Sequence, residues 1–140
     1  MAVATGSFRY LAAMKLRIRG NSLRLRVTRL ELEQLASGRP VIESLAFAGG
    51  AQLRYELCVD AAASTLQAGY RDNVIDVRIP AAEFRHWQRE DQVSLRTAQA
   101  AGAGGELLLL VEKDFACLAP RAGEDDSEAF AHPAAPNNER

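Results

Sequence analysis

Histidine and cysteine are scarce, at two residues each in a chain of 140. Two cysteines cannot build a disulfide framework or an all-cysteine zinc site, and a reducing cytoplasm is the expected compartment. Two histidines leave little material for acid–base constellations, and no Ser-His-Asp signature, dinucleotide fingerprint or Walker loop occurs. Long hydrophobic runs are also missing. The longest, Leu107 to Val111, has the length of a strand and falls far short of the roughly 18 residues that span a bilayer. Nor is there an excess of one charge: 17 Lys and Arg against 18 Asp and Glu give a net charge of -1, so a polyanion partner would need a local patch. What remains is 48% hydrophobic and 25% charged, the composition of one soluble globular domain.

Pattern is concentrated in the middle of the chain. Residues 1–13, MAVATGSFRYLAA, show little periodicity and lack the basic segment and roughly 7–15 apolar residues of a secretory signal. They read as a poorly ordered extension, with Met14 as a candidate native start. Residues 14–118 read as the single domain. Residues 119–140 are rich in Ala, Pro, Asn and acid, with Phe130 the one bulky apolar side chain, and read as a flexible or docked acidic tail.

Within the domain, Leu16 and Ile18, then Leu23, Leu25 and Val27, alternate with Lys15, Arg17, Arg19, Arg24 and Arg26. This is a half-buried hairpin turning at Gly20-Asn21, where glycine suits a type II′ turn. The turn pairs Arg17 with Arg24 and Leu16 with Leu25. Thr28 and Glu31 then form a capping box, and Leu32 and Leu35 continue at helical spacing until Gly38 and Pro40. The same order returns 52 residues later: a hairpin from Leu66 to Ile79 turning at Asp72-Asn73, then a helix from Pro80 with Phe84 and Trp87 on its apolar side. Arg19, Asn21, Arg26 and Glu31 recur as Arg71, Asn73, Arg78 and Glu83, which points to a duplication.

A further strand pair follows each helix, Val41–Phe47 with Gln52–Val59 and then Gln92–Thr97 with Glu106–Lys113. The expected fold is therefore mainly β (α+β): two ββαββ halves in a small closed or nearly closed β-barrel with pseudo-twofold symmetry and two short helices. Leu16, Ile18, Leu23, Leu25, Ile75, Val77, Phe84, Trp87, Leu108 and Leu110 are expected in one core. Leu107 to Val111, apolar on both faces, is expected as a central strand covered on both sides.

The runs MKLRIRGNSLRLRVT at Met14 to Thr28 and LVEKDFACL at Leu110 to Leu118, with Glu124-Asp125-Asp126 beyond, resemble the opening and close of a family of small bacterial proteins of unknown function. The resemblance spans roughly Met14 to Phe130 and implies boundaries rather than chemistry. Where that family often continues through Phe-Pro-Asn-Pro, this chain reads Phe130-Ala131-His132-Pro133.

The most distinctive chemistry is the basic hairpin. Like charges directly opposite on paired strands repel, so Arg17 against Arg24 and Lys15 against Arg26 call for something negative. Candidate anion ligands are Lys15, Arg17, Arg19, Arg24 and Arg26, with Arg78 as the repeat's counterpart of Arg26. Arginine suits oxyanions because its planar fork binds them in pairs. The competing reading is that the acids of the tail or last strand neutralise the hairpin, or that water alone does. Cys117, four residues before Arg121, could have a lowered thiol pKa but reads better as a buried, inert cysteine. Cys58, between Leu57 and Val59, reads as core, and His86 as surface or boundary. No metal or cofactor site is expected, since His132, Glu124, Asp125 and Asp126 lack ligand spacing. The function favoured is a binding module for a small anionic ligand or protein partner, not an enzyme. The alternatives are a small hydrolase or transferase using Cys117 or the tail acids, and a nucleic-acid-binding barrel.

Overall fold

The period-two alternation at the start of the domain forms β1 (Lys15–Arg19) and β2 (Ser22–Val27). They pair antiparallel in the expected register, Arg17 opposite Arg24 and Leu16 opposite Leu25. Of the two turn residues only Gly20 has a positive φ, 57°, which glycine adopts without a Cβ clash. Thr28 caps α1 (Arg29–Ala36): its Oγ1 accepts from the Glu31 N–H at 3.2 Å, and Glu31 Oε1 accepts from the Thr28 N–H at 3.0 Å. Next come β3 (Val41–Ala46), β4 (Gln52–Asp60), β5 (Gln67–Arg71), β6 (Val74–Pro80), α2 (Ala81–Arg89), β7 (Ser94–Ala100) and β8 (Glu106–Lys113). The β5–β6 turn places Asp72 and Asn73 at φ 54° and 64°, the left-handed region these residues tolerate. This computed structural model describes residues 13–89 and 91–114. Among them, no helix is long and apolar enough to cross a membrane.

The fold is mainly β with two helices, as expected, but its strands form two four-stranded sheets, β1-β2-β8-β7 and β3-β4-β6-β5, and among the described residues their pairing forms no closed barrel, the stricter form of the closed or nearly closed one expected. Each half sends its first hairpin to one sheet and its second hairpin to the other. The halves meet at two parallel pairs, β2 with β8 and β4 with β6. Such long-range pairing leaves no trace in the alternation of either strand, which is why the sequence does not disclose how the two halves join. Where a barrel would join β7 to β5, a single side chain stands in: Gln99 Nε2 donates to the Ala68 carbonyl and its Oε1 accepts from the Ala68 N–H, both at 2.8 Å.

Exchanging β1–β4 with β5–β8 converts one sheet order into the other. The first hairpins match at an offset of 52 residues and the second hairpins at 54, so the second half carries two more residues between its hairpins, one of them in α2, which has nine residues against eight in α1. The second hairpins also turn alike, through single 3₁₀ turns at Ala48–Gly50 and Gly102–Gly104. Phe47 N–H donates to the Ala51 carbonyl and Ala101 N–H to the Gly105 carbonyl, each at 2.8 Å.

One core takes side chains from both sheets and both helices, including Leu23, Leu25, Leu35, Leu57, Val77, Phe84, Trp87, Leu109 and Val111. Met14 and Leu66, equivalent under the repeat, are both buried in it. Four core expectations need correction. Ile18 is 61% exposed and Leu108 52% exposed. Leu110 is half-buried on the outer side of its sheet, and Cys58 is half-buried on the outer side of the other. In β8 it is Leu109 and Val111 that enter the core, because an unbroken apolar run does not disclose which parity faces inward. The strand is central, as expected, but no element among the described residues covers its outer face.

Candidate functional site

Paired residues share a face of a sheet, so the registers define the outer surface of the first sheet. One row reads Arg17, Arg24, Leu110, Arg96; the next reads Arg19, Ser22, Leu108, Ala98; the third reads Lys15, Arg26, Glu112, Ser94. The repulsive pairs expected within the first hairpin are therefore real neighbours. Six cations, Lys15, Arg17, Arg19, Arg24, Arg26 and Arg96, share this face with three carboxylates, Glu106, Glu112 and Asp114.

The carboxylates answer only part of the charge. Glu112 Oε1 takes both Arg26, at 3.2 Å, and Arg24, at 3.7 Å, while Lys15 Nζ lies 3.4 Å from Asp114 Oδ2. Among the described residues, Arg17, Arg19 and Arg96 form no ion pair. The internal neutralisation expected from the sequence thus comes in part from the last strand.

Arg17, Arg19, Arg24 and Arg96 surround a depression of about 440 Å³ that Leu108 and Leu110 line from below. Arg24 and Arg96 stand on opposite sides of Leu110, two inter-strand steps or about 10 Å apart at the backbone. Such a site offers charge-assisted hydrogen bonds from its walls and apolar contact from its floor. Its paired positions, all among the described residues, include no aromatic side chain, the usual stacking platform of single-strand nucleic-acid binding.

The sixth expected ligand sits elsewhere. Arg78 lies on β6 in the other sheet, where its Nε donates to Asp76 Oδ1 at 3.1 Å and its Nη1 to Asp60 Oδ2 at 3.2 Å. The Asp76 hydrogen bond and charge, with Asp60 behind them, raise its pKa further above the ordinary guanidinium value. Cys58 pairs across to Arg78. Partial burial pushes its thiol pKa up, against a smaller lowering by Arg78, so it is a poor nucleophile. Cys117, Arg121, Glu124, Asp125, Asp126 and His132 lie outside the described residues.

Arg96 is the member of the site that sequence reasoning missed. Its alternation with the buried Leu95 was visible in SLRTAQA, but its approach to the basic hairpin depends on the parallel β2–β8 pairing. Other depressions lie among the described residues, one of about 290 Å³ along the basic hairpin itself, lined by Lys15, Leu16, Arg17, Arg24 and Arg26. A slot of about 290 Å³ between the first hairpins of the two halves is lined by Ile18, Ala68, Tyr70 and Ile75, and an open groove beside α2 by Glu83, His86, Gln92 and Arg96. His86 is exposed. Among the described residues no three His, Cys, Asp or Glu side chains are grouped to hold a metal ion.

No curated protein matches the chain. The model of a family of unknown function, DUF7009, matches residues 14–134, from the buried Met14 to beyond the end of β8, and the chain belongs to that family.

Proposed function

We propose that the protein is a cytoplasmic binding module whose outer β1-β2-β8-β7 face holds an anionic ligand with an apolar body. The observation that carries this reading is the set of arginines without ion pairs among the described residues, Arg17, Arg19 and Arg96, around a leucine-lined depression. A solvated basic face needs no apolar floor, and an apolar floor alone needs no arginines on two sides. In this reading Arg24 and Arg96 grip opposite ends or edges of the ligand, Arg17 and Arg19 add charge along one side, and Leu108 and Leu110 contact its apolar part. Lys15 and Arg26, already paired with Asp114 and Glu112, set the local potential rather than the grip. A small phosphate ester or a carboxylate with a hydrocarbon or ring portion has the required chemistry.

A thermal-shift screen with inorganic phosphate, nucleotides and dicarboxylates tests the reading, because a ligand bound only by the folded state raises its melting point. At about 100 times Kd the gain is about 2.7 kcal/mol. The shift should disappear in Arg24→Gln/Arg96→Gln and persist in Arg78→Gln. A shift lost in the Arg78 variant and kept in the double variant would move the site to the other sheet.

A further inference from the structure

The chain continues past β8 with an acidic segment, and the family's extent includes most of it: the matched region runs to residue 134, twenty residues beyond Asp114. Residues 115–134 carry Glu124, Asp125, Asp126 and Glu128 against one arginine, Arg121, with Phe115, Leu118 and Phe130 as their large apolar side chains. This is the chemical complement of an arginine-walled, leucine-floored surface.

We propose that residues 115–134 of the same chain occupy the outer face of the β1-β2-β8-β7 sheet and compete there with the external anion. The proposal rests on the functional reading above and adds its regulation. Asp114, at the end of β8, fixes the point of departure: its N–H donates to the Val27 carbonyl at 2.8 Å and its carboxylate lies near Lys15. From there to the level of Leu108 is six residues along the strand, about 20 Å. Ten residues separate Asp114 from Glu124 and can extend to about 33 Å, so the acids reach Arg17, Arg24 and Arg96 with chain to spare for the reversal. Four carboxylates meet three arginines that lack ion pairs among the described residues, and the phenylalanines and Leu118 are the side chains available to Leu108 and Leu110. Tethering supplies the segment at an effective concentration near the millimolar range, so individually weak ion pairs suffice for occupancy.

The test uses the full chain and 8-anilinonaphthalene-1-sulfonate, an anion with an apolar body, as the probe. Neutralising the segment with Glu124→Gln, Asp125→Asn, Asp126→Asn and Glu128→Gln should tighten probe binding at least fivefold at low salt and lower the melting point slightly, because a docked segment stabilises only the folded state. Adding Arg24→Gln/Arg96→Gln should abolish the gain, and a synthetic peptide of residues 119–134 should restore competition in trans. Equal, arginine-dependent affinity in the parent and the neutralised variant would overturn the tail's role and leave the anion site standing. Absence of arginine-dependent binding in both would overturn the site and the tail's role with it. A gain that depends on protein concentration would assign the segment to a second copy and overturn the intramolecular form.

Discussion

Replacing Trp87 by alanine should remove a large part of the fold's stability. The ring is fully buried between α2 and the sheets, edge-on to Phe84 with centroids 6.0 Å apart, and its Nε1 donates to the Val93 carbonyl at 3.2 Å. Lys113 Nζ sits 5.7 Å from its centroid. Large-to-small substitution of a buried aromatic costs about 3–5 kcal/mol in transfer and cavity terms. The lost hydrogen bond adds about 0.5–1.5 kcal/mol, and the edge-on contact a similar amount. Against a total of about 5–15 kcal/mol for a domain of this size, the variant should be marginal or unfolded at room temperature. Trp87→Phe keeps an aromatic ring in the core and should lose about 1–3 kcal/mol. Since this is the chain's one tryptophan, unfolding in urea should be followed by far-ultraviolet circular dichroism. A cost below about 1 kcal/mol for Trp87→Ala would mean that α2 does not close the core, and would refute the packing described here.

Gln99→Leu puts at β7 the residue type that the repeat carries at Leu45, and should cost about 1–3 kcal/mol while deprotecting the Ala68 amide in hydrogen exchange. Glu31, itself buried, accepts from the Met14 N–H at 2.8 Å as well as from the Thr28 N–H and hydroxyl. Glu31→Ala should therefore cost about 2–4 kcal/mol, and its double-mutant cycle with Thr28→Ala should show positive coupling. Burial holds both the Cys58 thiol and the Tyr55 phenol above their ordinary pKa values, the phenol with help from Glu43 and then Glu31. A raised folded-state pKa stabilises fully below the unfolded-state value and the benefit is lost as pH rises through the folded one. Stability should accordingly decline as pH rises above the ordinary thiol range, and Cys58 should alkylate more slowly near neutrality than an unfolded peptide. A stability profile that rises with pH across that range would contradict this environment.

Local chemistry made half of the fold readable. The register of β1 with β2, the Thr28 capping box, the Asp72-Asn73 turn and α2 after Pro80 all depend on residues within a few positions of one another. The joining of the halves does not. Whether β2 meets β8 or β6 is decided by how two hairpins from distant segments bury their apolar faces together, and neither hairpin records its partner. The parity of Leu107 to Val111 was hidden for a different reason: with leucine on both faces, the strand carries no alternation to read. The same ambiguity concealed the floor of the site, since Leu108 and Leu110 resemble core residues until the register places them beside Arg24 and Arg96. The basic hairpin itself was plain in the sequence. Its sixth expected member, Arg78, was assigned by repeat analogy, but the repeat maps one sheet onto the other and so carries Arg78 to the opposite face.

The anion site is tested most directly by mapping bound 8-anilinonaphthalene-1-sulfonate on the full chain by ¹⁵N–¹H chemical shifts at low salt. Perturbation should concentrate on the outer rows of β2, β7 and β8, at Arg24, Arg96, Leu108 and Leu110, and vanish in Arg24→Gln/Arg96→Gln. Shifts centred instead on Ile18, Tyr70 and Ile75, unchanged by that double substitution, would show that the probe uses the slot between the hairpins and would contradict the arginine-walled site.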